Sequence, residues 1–200
     1  NKMGFTGSFN AGSNYTQKLA GWGGLDLNLK KTPWTFFSNI YSGTWQNKFS
    51  SSGTTEYFTP VSTLKAAGSG RNHGYWVWGQ GGFEYEFETG KTAGLELSLA
   101  TGEWFNNDFS TSNTLNSSGS LSSFYTNDNQ RNGLWQNLTG SLYFNNKMGT
   151  EGRELSGDIT LSRNRNDNQF SFIKKDYDSL SVPLTGFPLD QRDTTNNKSY

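Results

Sequence analysis

The run from Tyr75 to Glu88 alternates with a period of two. Its odd positions are Tyr75, Val77, Gly79, Gly81, Phe83, Tyr85 and Phe87, and its even positions end in Glu84, Glu86 and Glu88. Extended backbone sends the two sets to opposite faces, whereas a helix scatters the glutamates around its circumference. The pattern recurs along the chain. Leu25, Leu27 and Leu29 alternate with Asp26, Asn28 and Lys30; Leu95, Leu97 and Leu99 with Glu96 and Ser98. Leu138, Gly140, Leu142 and Phe144 alternate with Asn137, Thr139, Ser141 and Tyr143, and Leu155, Gly157, Ile159 and Leu161 with Ser156, Asp158, Thr160 and Ser162. The chain is therefore expected to be all-β, with strands at about 4–12, 19–30, 34–48, 74–88, 92–106, 133–146 and 153–166.

Most of these segments reach the ~9–11 residues a tilted strand needs to cross a bilayer, beyond the ~5–6 typical of soluble sheets. The connections alternate in length. Thr32-Pro33, Thr89-Gly90-Lys91 and the stretch around Gly149-Thr150 are tight turns, while 49–73, 107–132 and 167–196 are long and rich in Ser, Thr, Asn, Gly and Asp. The connection at 13–18 is short but falls on the long side by parity. Outer-membrane barrels have short periplasmic turns and longer extracellular loops, which puts the chain's start on the periplasmic side.

Hydrophobic residues make up 32% of the chain, and the mean hydropathy is −0.75. In most architectures such values indicate a soluble or disordered chain. A membrane barrel is the exception, because only every second side chain meets lipid and the rest line a wet lumen. An aromatic content of 16% argues against disorder. No run approaches the ~20 apolar residues of a membrane helix. The chain does not begin with Met and carries no signal peptide, which reads as truncation or maturation. Seventeen basic residues balance seventeen acidic ones, so the basic surface that nucleic acid requires is missing. With no cysteine there is no disulfide, thiolate or cysteine-bound zinc.

On the face assigned to lipid, Leu25, Leu27, Leu29, Leu95, Leu97, Leu99, Leu138, Leu142, Ile159 and Leu161 occupy mid-strand positions. Phe5, Trp34, Phe36, Tyr85, Phe87 and Phe144 lie beside the chain start or a short turn, as an interfacial aromatic girdle does. Opposed residues of a hairpin share a face. The turns predict Leu29 opposite Phe36, Leu25 opposite Ile40, Glu84 opposite Glu96, Phe83 opposite Leu97 and Leu138 opposite Leu161. Phe37 and Tyr41 then point to the lumen.

Three stretches carry a resemblance: Gly4-Phe5-Thr6-Gly7-Ser8-Phe9-Asn10-Ala11-Gly12, Gly23-Gly24-Leu25-Asp26-Leu27-Asn28-Leu29-Lys30-Lys31, and Trp34-Thr35-Phe36-Phe37-Ser38-Asn39-Ile40-Tyr41. Together they resemble the opening of the barrel in TonB-dependent-receptor-like outer-membrane proteins of Gram-negative bacteria. The resemblance covers about the first forty residues, and beyond them only the strand–turn–loop rhythm matches. It implies an outer-membrane location, outer-membrane lipid as a partner, and a role in nutrient uptake. It also implies a plug domain before Asn1-Lys2 and a TonB-type energy-coupling protein, neither of which this chain contains. Arg192 to Ser199 shows no alternation, so a barrel-closing strand is not expected there.

The chemistry-bearing residues are few. Glu84, Glu86, Glu88 and Glu96 form a lumen-facing acidic stripe, read as a solvated wall or a cation-attracting surface. Carboxylates adjacent on one face lack the separation of a glycosidase pair. His73 is the sole histidine, too little for a transition-metal site or a catalytic triad. Asn127 to Asn129 and Asp167 to Gln169 lack the spacing of a calcium loop. The segments Gly68 to Gly70 and Gly79 to Gly82 are not phosphate loops. Trp76 and Trp78, on the lumen side near the outer rim, are candidates for stacking a sugar or other planar ligand. No cofactor and no enzyme activity is expected.

The expected architecture is an incomplete up-and-down transmembrane β-barrel, an open curved antiparallel meander of about seven to eight strands with two free edges. A closed eight-stranded barrel, made by pairing the tail with the first strand, is the alternative. The functional alternatives are a non-transporting structural or adhesive barrel and a secreted glycan-binding sandwich. A sandwich requires Leu25, Leu97 and Ile159 to be sealed between two layers.

Overall fold

The computed structural model describes residues 3–15, 18–148, 152–184 and 189–199. Eight strands follow one another: β1 (Met3–Tyr15), β2 (Leu19–Lys31), β3 (Trp34–Phe58), β4 (Val61–Glu88), β5 (Lys91–Leu115), β6 (Leu121–Met148), β7 (Arg153–Asp178) and β8 (Leu189–Ser199). They form a single antiparallel sheet in the order β1-β2-β3-β4-β5-β6-β7-β8, each strand beside its neighbours in sequence, with no crossover. β1 and β8 do not pair, so the sheet is open and the closed eight-stranded alternative is set aside.

The tight turns at Thr32-Pro33 and Thr89-Gly90 lie where the sequence puts them. Gly90 has φ +82°, a conformation that glycine adopts without a Cβ penalty. The turn at Gly149-Thr150 lies outside the described residues. The registers divide. Leu29 opposes Phe36 and Leu25 opposes Ile40, as expected. Glu84 opposes Gly94, Phe83 opposes Leu95 and Leu138 opposes Arg163, each two residues from the expected partner. A shift of two preserves the face while a shift of one reverses it, so Glu84, Phe83 and Leu138 keep their faces.

The segments expected to be long loops are strands. β3 and β4 pair without interruption to Phe58 and Val61, and β5 pairs with β6 to Leu115 and Leu121. β7 runs on to Asp178, and β8 pairs along it from Lys174 to Asn164. Beyond Gly43, β3 extends about 50 Å at ~3.4 Å per residue. These extensions lack hydrophobic alternation because both of their faces are polar, so backbone pairing leaves no periodic trace in the side chains. β8 escaped the sequence reading for the same reason. Side chains close two of the tips. Asn116 Oδ1 accepts from the backbone N–H of Ser118 and Ser120, each at 3.0 Å, and Asp178 Oδ1 accepts from Leu180 at 2.9 Å and Val182 at 2.7 Å.

The sheet has no second layer. The accessible surface is 13741 Å², against about 9,400 Å² for a compact monomer of this mass. Leu25, Leu97 and Ile159 are 40%, 53% and 66% exposed, which excludes a sandwich interior around them. Among the described residues the buried positions are mainly glycines: Gly24, Gly43, Gly94, Gly102 and Gly133, together with Ala20 and Ser112.

Candidate functional site: rows of tryptophan on the polar face

Cross-strand pairing converts the alternation into rows. On one face Phe5, Leu29, Phe36, Phe83, Leu95, Leu142 and Ile159 are successive partners from β1 to β7. The next row carries Leu27, Leu97 and Leu161, and the one beyond it Leu25, Ile40, Leu99 and Leu138. All ten expected leucine and isoleucine positions thus share one face, apolar except where Arg163 follows Leu138 on β7. Beside the two tight turns, Trp34 packs against Tyr85, Phe83 and Phe36 at ring-centroid distances of 4.6, 5.7 and 5.9 Å, and Tyr85 packs on Phe87 at 4.9 Å. Phe144 lies in the same row opposite Ala93, and Phe5 opposes Leu29 on β1.

The four glutamates do not form a uniform stripe. Glu88 pairs with Lys91 at 2.8 Å, and a bulge separates it from Glu86. Glu84 accepts a 3.4 Å hydrogen bond from the Tyr143 hydroxyl, and Glu96 sits opposite Gly82. Farther along the same face, Asp26 accepts from the Tyr41 hydroxyl at 2.6 Å and from Ser8 at 2.7 Å. Among the described residues no three metal-capable side chains cluster. His73 belongs to the opposite face, above Tyr75, where its ring stacks on Phe105 at 5.1 Å. Burial, then the Arg71 guanidinium and the Lys18 ammonium, hold its pKa below the ordinary imidazole value. The segments from Asn127 to Asn129 and from Asp167 to Gln169 lie inside β6 and β7. There Asn129 donates to Asp108 at 2.7 Å.

The tryptophans are organised. Six of the seven share the polar face. Gly12, Trp22, Gly43, Trp76, Gly102, Trp135 and Asn166 are successive partners from β1 to β7, a strict alternation of glycine and tryptophan that ends in asparagine. One row outward, Trp45, Gly74, Trp104, Gly133 and Asn168 repeat the alternation out of phase. The glycines are spaces for the rings. A Cβ on Gly12 would lie 2.6 Å from Trp22 Nε1, one on Gly43 3.0 Å from Trp76 Cε2, and one on Gly102 2.9 Å from Trp135 Nε1. Each ring lies across its neighbour's backbone; Trp22 is 48% and Trp45 40% exposed, and Trp76, Trp104 and Trp135 are half-buried. Trp78 belongs to the next row inward, beside Tyr41 at 5.8 Å. Sequence reasoning singled out Trp76 and Trp78 and missed Trp22, Trp45, Trp104 and Trp135. The signal was the glycine opposite each ring, which is visible only once the register is known. No protein-family model matches the chain, and no curated protein matches it.

Proposed function

We propose that this sheet is part of an outer-membrane β-barrel of TonB-dependent-receptor type, with the leucine face against lipid and the tryptophan face toward the lumen, and that the parent protein takes up a nutrient. The supporting observation is the unbroken apolar row from Phe5 to Ile159 on a sheet with no second layer. In water such a face is larger than a soluble monomer leaves bare. The dimensions agree with a bilayer. From Tyr85 to Tyr75 the β4 leucine face holds only Phe83, Gly81, Gly79 and Val77. At ~3.4 Å per residue this is about 34 Å of strand, or about 25 Å of membrane normal at a tilt of roughly 40°. The long hairpins stand on the side opposite the tight turns, as outer loops do.

Fractionation of the full-length protein tests the reading. It should stay with membranes through carbonate washing and leave only with detergent; release by carbonate overturns the assignment. The chain has no cysteine, so single-cysteine variants report position cleanly. In intact membranes Leu97→Cys should be shielded from a water-soluble maleimide and Asn137→Cys should react. The uptake role is tested separately, by growth of a deletion strain on limiting nutrients with and without the energy-coupling protein.

A further inference from the structure

We propose that the tryptophan rows form a binding strip for a neutral oligosaccharide. The inference deepens the uptake reading by naming a ligand class, and it rests on that reading for the strip's access from the lumen.

Three observations converge. First, β2 to β6 each contribute one ring: Trp22, Trp45, Trp76, Trp104 and Trp135. Adjacent strands lie ~4.8 Å apart, and Trp22, Trp76 and Trp135 sit on every second strand of one row, so its rings recur about every 10 Å, about two pyranose units. The glycine beneath each ring lets it lie flat and close to the backbone. Such a surface suits the C–H side of a pyranose.

Second, carboxamides border the rings. Asn47, Asn72 and Asn106 are successive partners in the row immediately outward, and Asn164, Asn166 and Asn168 run along β7 where the rows end. Carboxamides can both donate to and accept from hydroxyls at the edge of a stacked sugar.

Third, the strip is uncharged. The Trp22–Trp76–Trp135 row, the Trp45–Trp104 row and the Tyr41–Trp78 row contain no charged residue from β2 to β7. Charge on this face begins in the bordering rows, with Arg131 beside Asn106 and Asp26 beside Tyr41, so only within the ring rows does an ionic ligand find no counter-charge. A flat aromatic ligand would use the rings and leave the carboxamides idle.

The test is titration of the full-length protein in detergent, read by calorimetry and tryptophan fluorescence. The probes are malto-, cello-, xylo- and manno-hexaose at millimolar concentrations, the matching disaccharides, and riboflavin as a planar non-saccharide. At least one hexaose should bind, and bind more tightly than its disaccharide because more rings engage. Trp76→Ala should weaken it on the order of tenfold, Trp76→Phe less, and Asn72→Ala severalfold. Trp76→Phe keeps an aromatic ring over Gly43, so it guards against a fold lost in the alanine variant. Failure of every hexaose to bind overturns the proposal, as does binding of riboflavin alone or hexaose binding indifferent to Trp76. A carbonate-resistant protein that binds no sugar loses this inference and keeps the membrane reading. A carbonate-extracted protein that binds sugar through Trp76 does the reverse.

Discussion

The Tyr41 hydroxyl donates to Asp26 Oδ2 at 2.6 Å while its own ring covers Gly24, so a single side chain ties β3 to β2 by charge and by contact. Ser8 adds a second donor from β1. Tyr41→Phe removes only the hydroxyl, and Tyr41→Ala also uncovers Gly24. Both should lower the temperature at which the protein loses its compact electrophoretic form, the alanine variant by the larger margin. An equal shift in the two would assign the whole effect to the hydrogen bond.

Glycines beneath rings should be intolerant and glycines in the open should not. Gly43→Val forces a side chain against Trp22 and Trp76 and is expected to cost about 1–3 kcal/mol, the range for overpacked sites. Gly53→Val on the same strand meets nothing within 4 Å and should stay within about 0.5 kcal/mol of the parent. Urea unfolding in lipid vesicles gives both values, and the fluorescence maximum should shift only in Gly43→Val.

Charge on the leucine face should be costly in proportion to depth. On the proposed membrane reading, Leu97→Arg is expected to destabilise by about 2–4 kcal/mol, the range for an arginine at the bilayer midplane. Its neighbour Ser98 points to the other face, and Ser98→Arg should change little. Similar outer-membrane levels of the two variants would contradict the orientation of the sheet.

His73 should titrate below the ordinary imidazole range by nitrogen-detected NMR. Burial is the leading cause, so Phe105→Ala, which opens the stack, should raise the value more than Arg71→Gln. The sign for stability follows. An imidazole with a depressed folded pKa takes up its proton first in the unfolded chain, so acidification through and below about pH 6.5 destabilises the outer part of β4. Hydrogen exchange around Asn72 to Tyr75 should quicken over that interval, and His73→Phe should abolish the pH dependence.

The legible part of this fold is the part with unlike surroundings on its two faces. Leu25 to Leu29 and Phe83 to Phe87 announced their strands because one face is apolar and the other polar. Ser50 to Thr55 and Arg192 to Ser199 announced nothing, since both faces of those strands are polar and no periodicity is imposed. The same division explains the site. Trp76 and Trp78 stood out within an alternating run, but the pairing of Trp135 with Gly102, or of Trp104 with Gly133, joins residues far apart in sequence through a register the turns alone left two residues uncertain. Glu84, Glu86 and Glu96 lie on the face opposite the leucines; that Lys91 neutralises Glu88 follows from the turn geometry.

The unbroken outer hairpins bear on how such a protein can change. Near the tight turns, inserting one residue would move leucines onto the polar face and acids onto the apolar one, so length there is effectively frozen. Past Phe49 on β3 the two surfaces are chemically alike, and a residue gained or lost near Pro60 or Gly119 simply lengthens or trims a stiff rib. Variation in size among relatives should therefore collect at the far tips and leave the apolar belt untouched.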